Sequence, residues 1–258
     1  TTSPAPTHER SRLGTGVTRF AVGDRVFGLP RFPRPVNGYA EFVTSPSRHL
    51  VRIPDSIDFA TAAAVPLPAT TAYQIVHDAA EVSADQTVLV LGAGGTVGTY
   101  VVQLAKKLGA TVIGHATGDR LEHLESLGID RTVDYRAHEF DDPALPGGPI
   151  REVDVVVDLI GGEYAVRAVP LTRRDGLVVG VPSGQQQGLG EAATSAGVRW
   201  TSLIVEPDHV ALTYIADLIE NGELEVTPPQ VAPLEDVVDV HRKMAAGRMS
   251  KTVLKVNA

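Results

Sequence analysis

The chain has 258 residues, 43% of them hydrophobic, with a formal net charge of −8 spread along the sequence and no cysteine. That size suits one large or two small domains able to bury a core. The acidic balance argues against a nucleic-acid backbone or an anionic membrane surface as partner. Without thiols there are no disulfides and no four-thiolate zinc lobe, and the eight histidines show no HxxxH or HxH spacing, so no metal site is assigned.

The opening residues, TTSPAPTHERSR, are polar and lack an apolar core of the kind a secretory leader needs. No run is long enough to span a bilayer, and the expected location is cytoplasmic. Between Phe20 and Ile53 two β-prone pieces, RVFGL and YAEFVTS, are separated by Pro, Gly and Asn, which predicts a small antiparallel β unit with no helix in it. Asp58 is placed to cap a short helix, and the Ala-rich run after Pro68 predicts a second.

From Thr87 the pattern changes. The apolar runs TVLVLG, ATVIGHA, VDVVVDLIG, GLVVGV and VRWTSLIV alternate with amphipathic stretches such as Val97–Leu108 and Arg120–Leu127. Continuous hydrophobicity in the strands means burial on both faces, hence a parallel sheet with helices on either side: a doubly wound α/β domain. VRWTSLIV, rich in β-branched and aromatic residues near the end of this unit, is expected at a sheet edge that needs cover, which predicts a homodimer formed edge to edge. A further helix, DHVALTYIADLIENG, precedes a terminal strand, KTVLKV, expected to return to the N-terminal β unit. The predicted division is 1–66 with 206–258, and 67–205.

Within LVLGAGGTVGTY, Ala93, Gly95 and Gly98 supply small side chains at the spacing a dinucleotide turn needs for a tight bend, close approach of a pyrophosphate, and close packing of helix on strand. The amides of Thr96 and Val97 open the following helix, where unpaired N–H groups and the helix dipole favour an anion. The strand before, the helix after and a second strand about twenty residues on give the motif its meaning. That second strand ends in His115, Ala116 and Thr117, followed by Arg120, where an NAD site would usually place an acid for the ribose 2′-hydroxyl. A cation there suits a 2′-phosphate, so NADP(H) is the expected cofactor; Asp119 is the competing acid nearby.

With the turn placed, the series VGDRVFG, GYAEFV, IPDSIDFATAAAVPLPATTAY, VLVLGAGGTVG, QLAKKLGATVIG, LGIDRTVDYR and VDVVVDLIGG resembles the zinc-independent quinone oxidoreductase branch of the medium-chain dehydrogenase/reductases, from about Leu13 to the C-terminus. The resemblance implies a Rossmann NADP-binding domain beside a GroES-like β domain, with the nicotinamide in the cleft between them. It implies hydride transfer from nicotinamide C4 to a quinone or to the β-carbon of an α,β-unsaturated carbonyl.

Carried onto matching positions, Gly95 to Gly98 would meet the pyrophosphate, and Thr117, Arg120 and Tyr135 would surround the 2′-phosphate and adenine end. Thr71, Tyr73, Val181 and Ser183 would approach the nicotinamide half. Arg248 is a further candidate, although AAGRMSKTVL is one residue shorter than the family's usual ending and has Ser250 where glycine is common. Family members also have a longer segment before the point matching Leu13, so the GroES-like domain is expected to be truncated, with an uncovered face. His8-Glu9 stands too close to LGTGV to be the family's upstream Gly-His-Glu. Tyr39 is the one aromatic hydroxyl placed near the cleft from the β side, and no catalytic residue is assigned. The alternative function is a redox-inactive homologue, a non-redox biosynthetic enzyme such as a cyclase or a nucleotide-dependent binding protein.

Overall fold

The structure is a computed structural model and describes residues 8–9, 12–35, 38–181, 186–246 and 251–256. The chain forms two compact units, one from residues 1–70 with 205–258 and one from residues 71–204.

The first unit begins with three short antiparallel strands in the order β1 (His8–Glu9), β2 (Arg25–Gly28) and β3 (Leu50–Arg52). Both edges of β2 are taken by these neighbours. The strand expected over residues 39–45 is absent: that stretch runs as bends and irregular chain, with Phe42 73% exposed. Apolar content alone does not make a strand: residues 39–45 pair with none of these three. One 3₁₀ turn, Ser47–His49, also stands in a stretch read as free of helix. Asp58 caps α1 (Phe59–Ala64) by accepting from the Thr61 amide at 2.7 Å. The second helix, α2 (Pro66–Tyr73), opens on Pro66, where a missing N–H costs nothing, and continues into a π-helical turn, Gln74–Ala79.

The second unit is a six-stranded, wholly parallel sheet. Its strands are β4 (Thr87–Leu91), β5 (Thr111–Ala116), β6 (Arg131–Asp134), β7 (Val153–Asp158), β8 (Thr172–Gly180) and β9 (Arg199–Ser202). They lie in the order β6-β5-β4-β7-β8-β9. The connecting helices are α3 (Thr96–Lys107), α4 (Asp119–Ser126), α5 (Tyr164–Ala168) and α6 (Leu189–Ala196). This is the doubly wound architecture. Val88 to Leu91 are wholly buried, as strands covered on both faces must be. The strand order reverses at β4, which puts the ligand crevice of such a sheet beside the carboxyl end of that strand. VRWTSLIV does supply the edge strand, β9, with Trp200 45% exposed.

The chain returns to the first unit through α7 (His209–Glu220), capped by Asp208, then β10 (Gln230–Pro233), α8 (Val237–Ala245) and β11 (Thr252–Lys255). The terminal strand does not join β1 to β3. It pairs in parallel with β10, and Val253 packs on Ala63 and Ala64 of α1. No helix among the described residues is long and apolar enough to cross a membrane.

Candidate nucleotide site

The carboxyl ends of β4, β5 and β6 carry the glycine turn and its neighbours. Gly92 has φ +85°, so the tight bend assigned to Ala93 is made one residue earlier, by a glycine for which that conformation is unstrained. Both the Gly92 and Ala93 amides donate to the carbonyl of His115, at 3.2 and 3.0 Å, which ties the turn to the end of β5. Ala93 is fully buried, and its methyl is accommodated because β5 offers Gly114: a Cβ there would stand 3.0 Å from that of Ala93.

Gly95 caps α3 without a side-chain hydrogen bond, and its amide donates to Gly92 O at 3.0 Å. A Cβ on Gly98 would lie 2.4 Å from the Ala93 carbonyl oxygen and 2.5 Å from that of Gly92, so only glycine fits. The amides of Thr96, Val97 and Gly98, in the first turn, have no acceptor within the helix. The loop after β7 was not anticipated. There the buried Asp158 accepts from the Ile160 and Gly161 amides at 2.9 and 3.0 Å, and Ile160 lies against Gly92, its Cγ1 3.3 Å from where a Cβ would sit. The signal was an Asp followed by two glycines at the end of a buried strand.

At the end of β5, Arg120 on the first turn of α4 lies over the glycine turn. A Cβ on Gly94 would be 2.8 Å from Arg120 Cβ, 2.9 Å from its Cδ and 3.2 Å from Ala116 Cβ. Asp119 precedes it on the same turn. Thr117 is buried, and its hydroxyl donates to Asp134 Oδ1 at 2.7 Å. That contact and the Arg136 amide hold the Asp134 carboxyl below its ordinary range. Asp134 was missed because it lies on β6, seventeen residues from Thr117 in sequence but opposite Ala116 in the ladder.

Tyr135, 47% exposed, has its ring 5.3 Å from that of His115. His115 is almost wholly buried among Tyr135, Phe140 and Tyr164, and neither ring nitrogen has a hydrogen-bond partner. Burial pushes the imidazole below its ordinary pKa. Arg167 closes the outer side of this box. It lies over the Phe140 and Tyr164 rings and is held by Asp141 at 2.6 and 2.9 Å and by Glu139 at 2.8 Å.

The remaining assigned residues are more scattered. Thr71 is buried near the end of α2, and Tyr73 stacks on His77 with centroids 4.3 Å apart. Val181 follows β8, its amide donating to Asp158 O at 3.0 Å. Ser183 and Arg248 lie outside the described residues. Tyr39, in the other unit, is 41% exposed and shares a 2.8 Å hydrogen bond with His241 Nε2. Among the described residues no three His, Asp or Glu side chains gather where a metal would be held.

Comparison with known proteins agrees with this geometry. Residues 127–254 match the family model described as zinc-binding dehydrogenase. The chain is 31% identical over 94% of its length to 2-methylene-furan-3-one reductase of Solanum lycopersicum, of which it spans 60%. It is 33% identical over 84% of its length to mycoketide-CoA synthase of Mycobacterium tuberculosis, of which it spans 5%. The quinone oxidoreductase of Coxiella burnetii superposes with a TM-score of 0.89 at 28% identity, covering 98% of this chain and 78% of that one. A quinone oxidoreductase of Escherichia coli complexed with NADPH superposes at 0.83 and 25% identity, covering 98% and 81%. The fold and glycine turn define a dinucleotide-type α/β protein. The chain belongs to the medium-chain dehydrogenase/reductases, in their quinone oxidoreductase branch. The donor set for the zinc in the family model's description is not assembled among the described residues, and no chemical step is assigned to a metal.

Proposed function

We propose that the chain is an NADPH-dependent oxidoreductase that reduces a quinone or the C=C bond of an α,β-unsaturated carbonyl. One observation carries this reading: α3 starts so close to the end of β4 that a Cβ on Gly98 would overlap the Ala93 and Gly92 carbonyls, the packing a dinucleotide turn requires, with Arg120 packed against Gly94 of the same turn. The NADPH complex of the Escherichia coli relative supports it. The amides from Gly95 to Gly98 would hold the pyrophosphate, Thr117, Arg120 and Tyr135 the adenosine phosphate end, and Thr71, Tyr73, Val181 and Ser183 the nicotinamide half. When bound, the cofactor supplies the hydride; the protein orients the acceptor and stabilises the charge that develops on its carbonyl oxygen.

Mixing pure protein with NADPH and a panel of quinones and enones should give substrate-dependent loss of the reduced-nicotinamide absorbance. Tight NADPH binding with no turnover across the panel would overturn the reductase and leave the redox-inactive alternative. No heat and no rise in melting temperature with saturating NADPH would remove the nucleotide reading altogether.

The same proposal includes a homodimer through β9, supported by the exposure of Trp200 and Ile204 at the sheet edge. A monomeric mass by light scattering at micromolar concentration would count against it, and Trp200→Lys should shift a dimer toward monomer.

A further inference from the structure

This inference rests on the nucleotide reading above and concerns which nucleotide the site takes. Asp134 stands opposite Ala116 in the β5–β6 ladder, beside Thr117, and its Oδ1 accepts from the Thr117 hydroxyl at 2.7 Å and from the Arg136 amide at 3.0 Å. A hydroxyl has one proton to donate, and that of Thr117 is committed to Asp134; what remains for a ligand is its lone pairs. Lone pairs accept from a ribose 2′-hydroxyl and repel a 2′-phosphate. The carboxylate behind them, ionised at neutral pH as an ordinary Asp is, adds a negative charge. Opposing this pair is Arg120, whose stem packs at Gly94 beside Ala116, the residue before Thr117.

We propose that Asp134, acting through Thr117, is a specificity-setting residue that offsets Arg120, so that this site binds NADH as well as NADPH, with affinities within about tenfold of each other. The usual NAD-selecting acid would stand at the end of β5; here the charge comes from β6, one strand further out, and reaches the site through a hydroxyl. The arrangement tempers the preference for a phosphorylated ribose without abolishing it.

The test is equilibrium titration of the purified chain with NADPH and with NADH, followed by nucleotide fluorescence. Asp134→Asn keeps an oxygen to accept from Thr117 and Arg136 but removes the charge, and should raise the NADPH-to-NADH affinity ratio by about fivefold. Thr117→Val removes the lone pairs and should weaken NADH while leaving NADPH no worse. Arg120→Ala should move the ratio toward NADH. The ratio is a readout that a purely structural role for Asp134 would not move, and Thr117→Val keeps the proposal testable should Asp134→Asn fail to fold. Both nucleotides bound with an unchanged ratio in these variants would overturn the proposal alone, as would a wild type preferring either nucleotide by more than about tenfold. Binding of neither nucleotide by the wild type would overturn the proposed function as well.

Discussion

In the unit of residues 71–204, one hydrophobic cluster runs from Leu89 through Phe140 and Val156 to Val198, and β4 and β7 are buried along most of their length. In the unit of residues 1–70 and 205–258 the buried side chains come from short strands and helices: Phe27 of β2 and Val51 of β3 are buried, as are Leu212, Ile215 and Ile219 of α7, which packs on β3, with further groups at Phe20, Val26 and Leu50 and at Ala63, Ala64 and Val253. Val22, Phe42, Val231 and Val238 of that unit remain largely exposed. A sheet sandwiched by helices makes stiff strand ends, and the glycine turn is tied to them by backbone hydrogen bonds, whereas the strands of the other unit are only two to four residues long. The difference teaches that the glycine turn stands on the ends of long strands in one continuous sheet, while the other unit assembles its core from short strands and helices.

The largest effects should come from glycines that touch backbone. Gly98→Val should weaken NADPH by at least about a hundredfold and destabilise the chain by about 3 kcal/mol, because the new Cβ lands on the Ala93 and Gly92 carbonyls. Calorimetry and urea unfolding followed by the fluorescence of Trp200 measure both; a wild-type Kd would break the account of the turn. In the other unit, Gly28→Ala puts a Cβ 2.0 Å from the His49 carbonyl oxygen on the β2–β3 ladder. It should cost about 2 to 3 kcal/mol, yet leave the NADPH affinity within about twofold of wild type. Loss of NADPH binding in that variant would dissolve the distinction between the units.

A smaller effect is expected at Arg167. Its side chain is 27% exposed, so its ion pairs are partly screened, and Arg167→Met should lower stability by about 1 to 2 kcal/mol in urea unfolding. A neutral result would mean that the aromatic box beside it stands without the clamp.

The smallest effect concerns pH. The folded pKa of His115 is depressed by burial, so between its unfolded value near 6.5 and the lower folded value the unfolded chain binds the extra proton. Its contribution to stability is complete above the unfolded pKa and is lost as pH falls through that window. His49 and His77 are depressed in the same direction, whereas Asp134 and Asp141 matter only below their ordinary carboxylate values, so the informative quantity is a difference. The melting temperature of His115→Phe should fall less than that of wild type between pH 7 and pH 5. Parallel curves would show that His115 is not protonated on unfolding.

What could be read in the chain follows the range of the interactions. The alternation of apolar runs with amphipathic stretches reports the parallel sheet, because burial on both faces imposes composition residue by residue. The turn from Gly92 to Gly98 declares itself because its steric demands fall on neighbours in sequence. The misreadings have the opposite origin. Residues 39–45 have the composition of a strand but join no ladder, and β11 has a partner, β10, that composition does not name. Ala93 in place of glycine is intelligible only beside Gly114 on the next strand.

By itself the sequence determined the class of fold, the position of the glycine turn and the edge strand, since each depends on local periodicity or on side chains too small to obstruct. The tertiary structure alone decided that Gly92 makes the bend, that Asp158 sets the loop beside it, and that Asp134 commits the proton of Thr117 opposite Arg120. These are contacts between strand ends far apart in the chain, and only the sheet's register brings them within hydrogen-bonding distance.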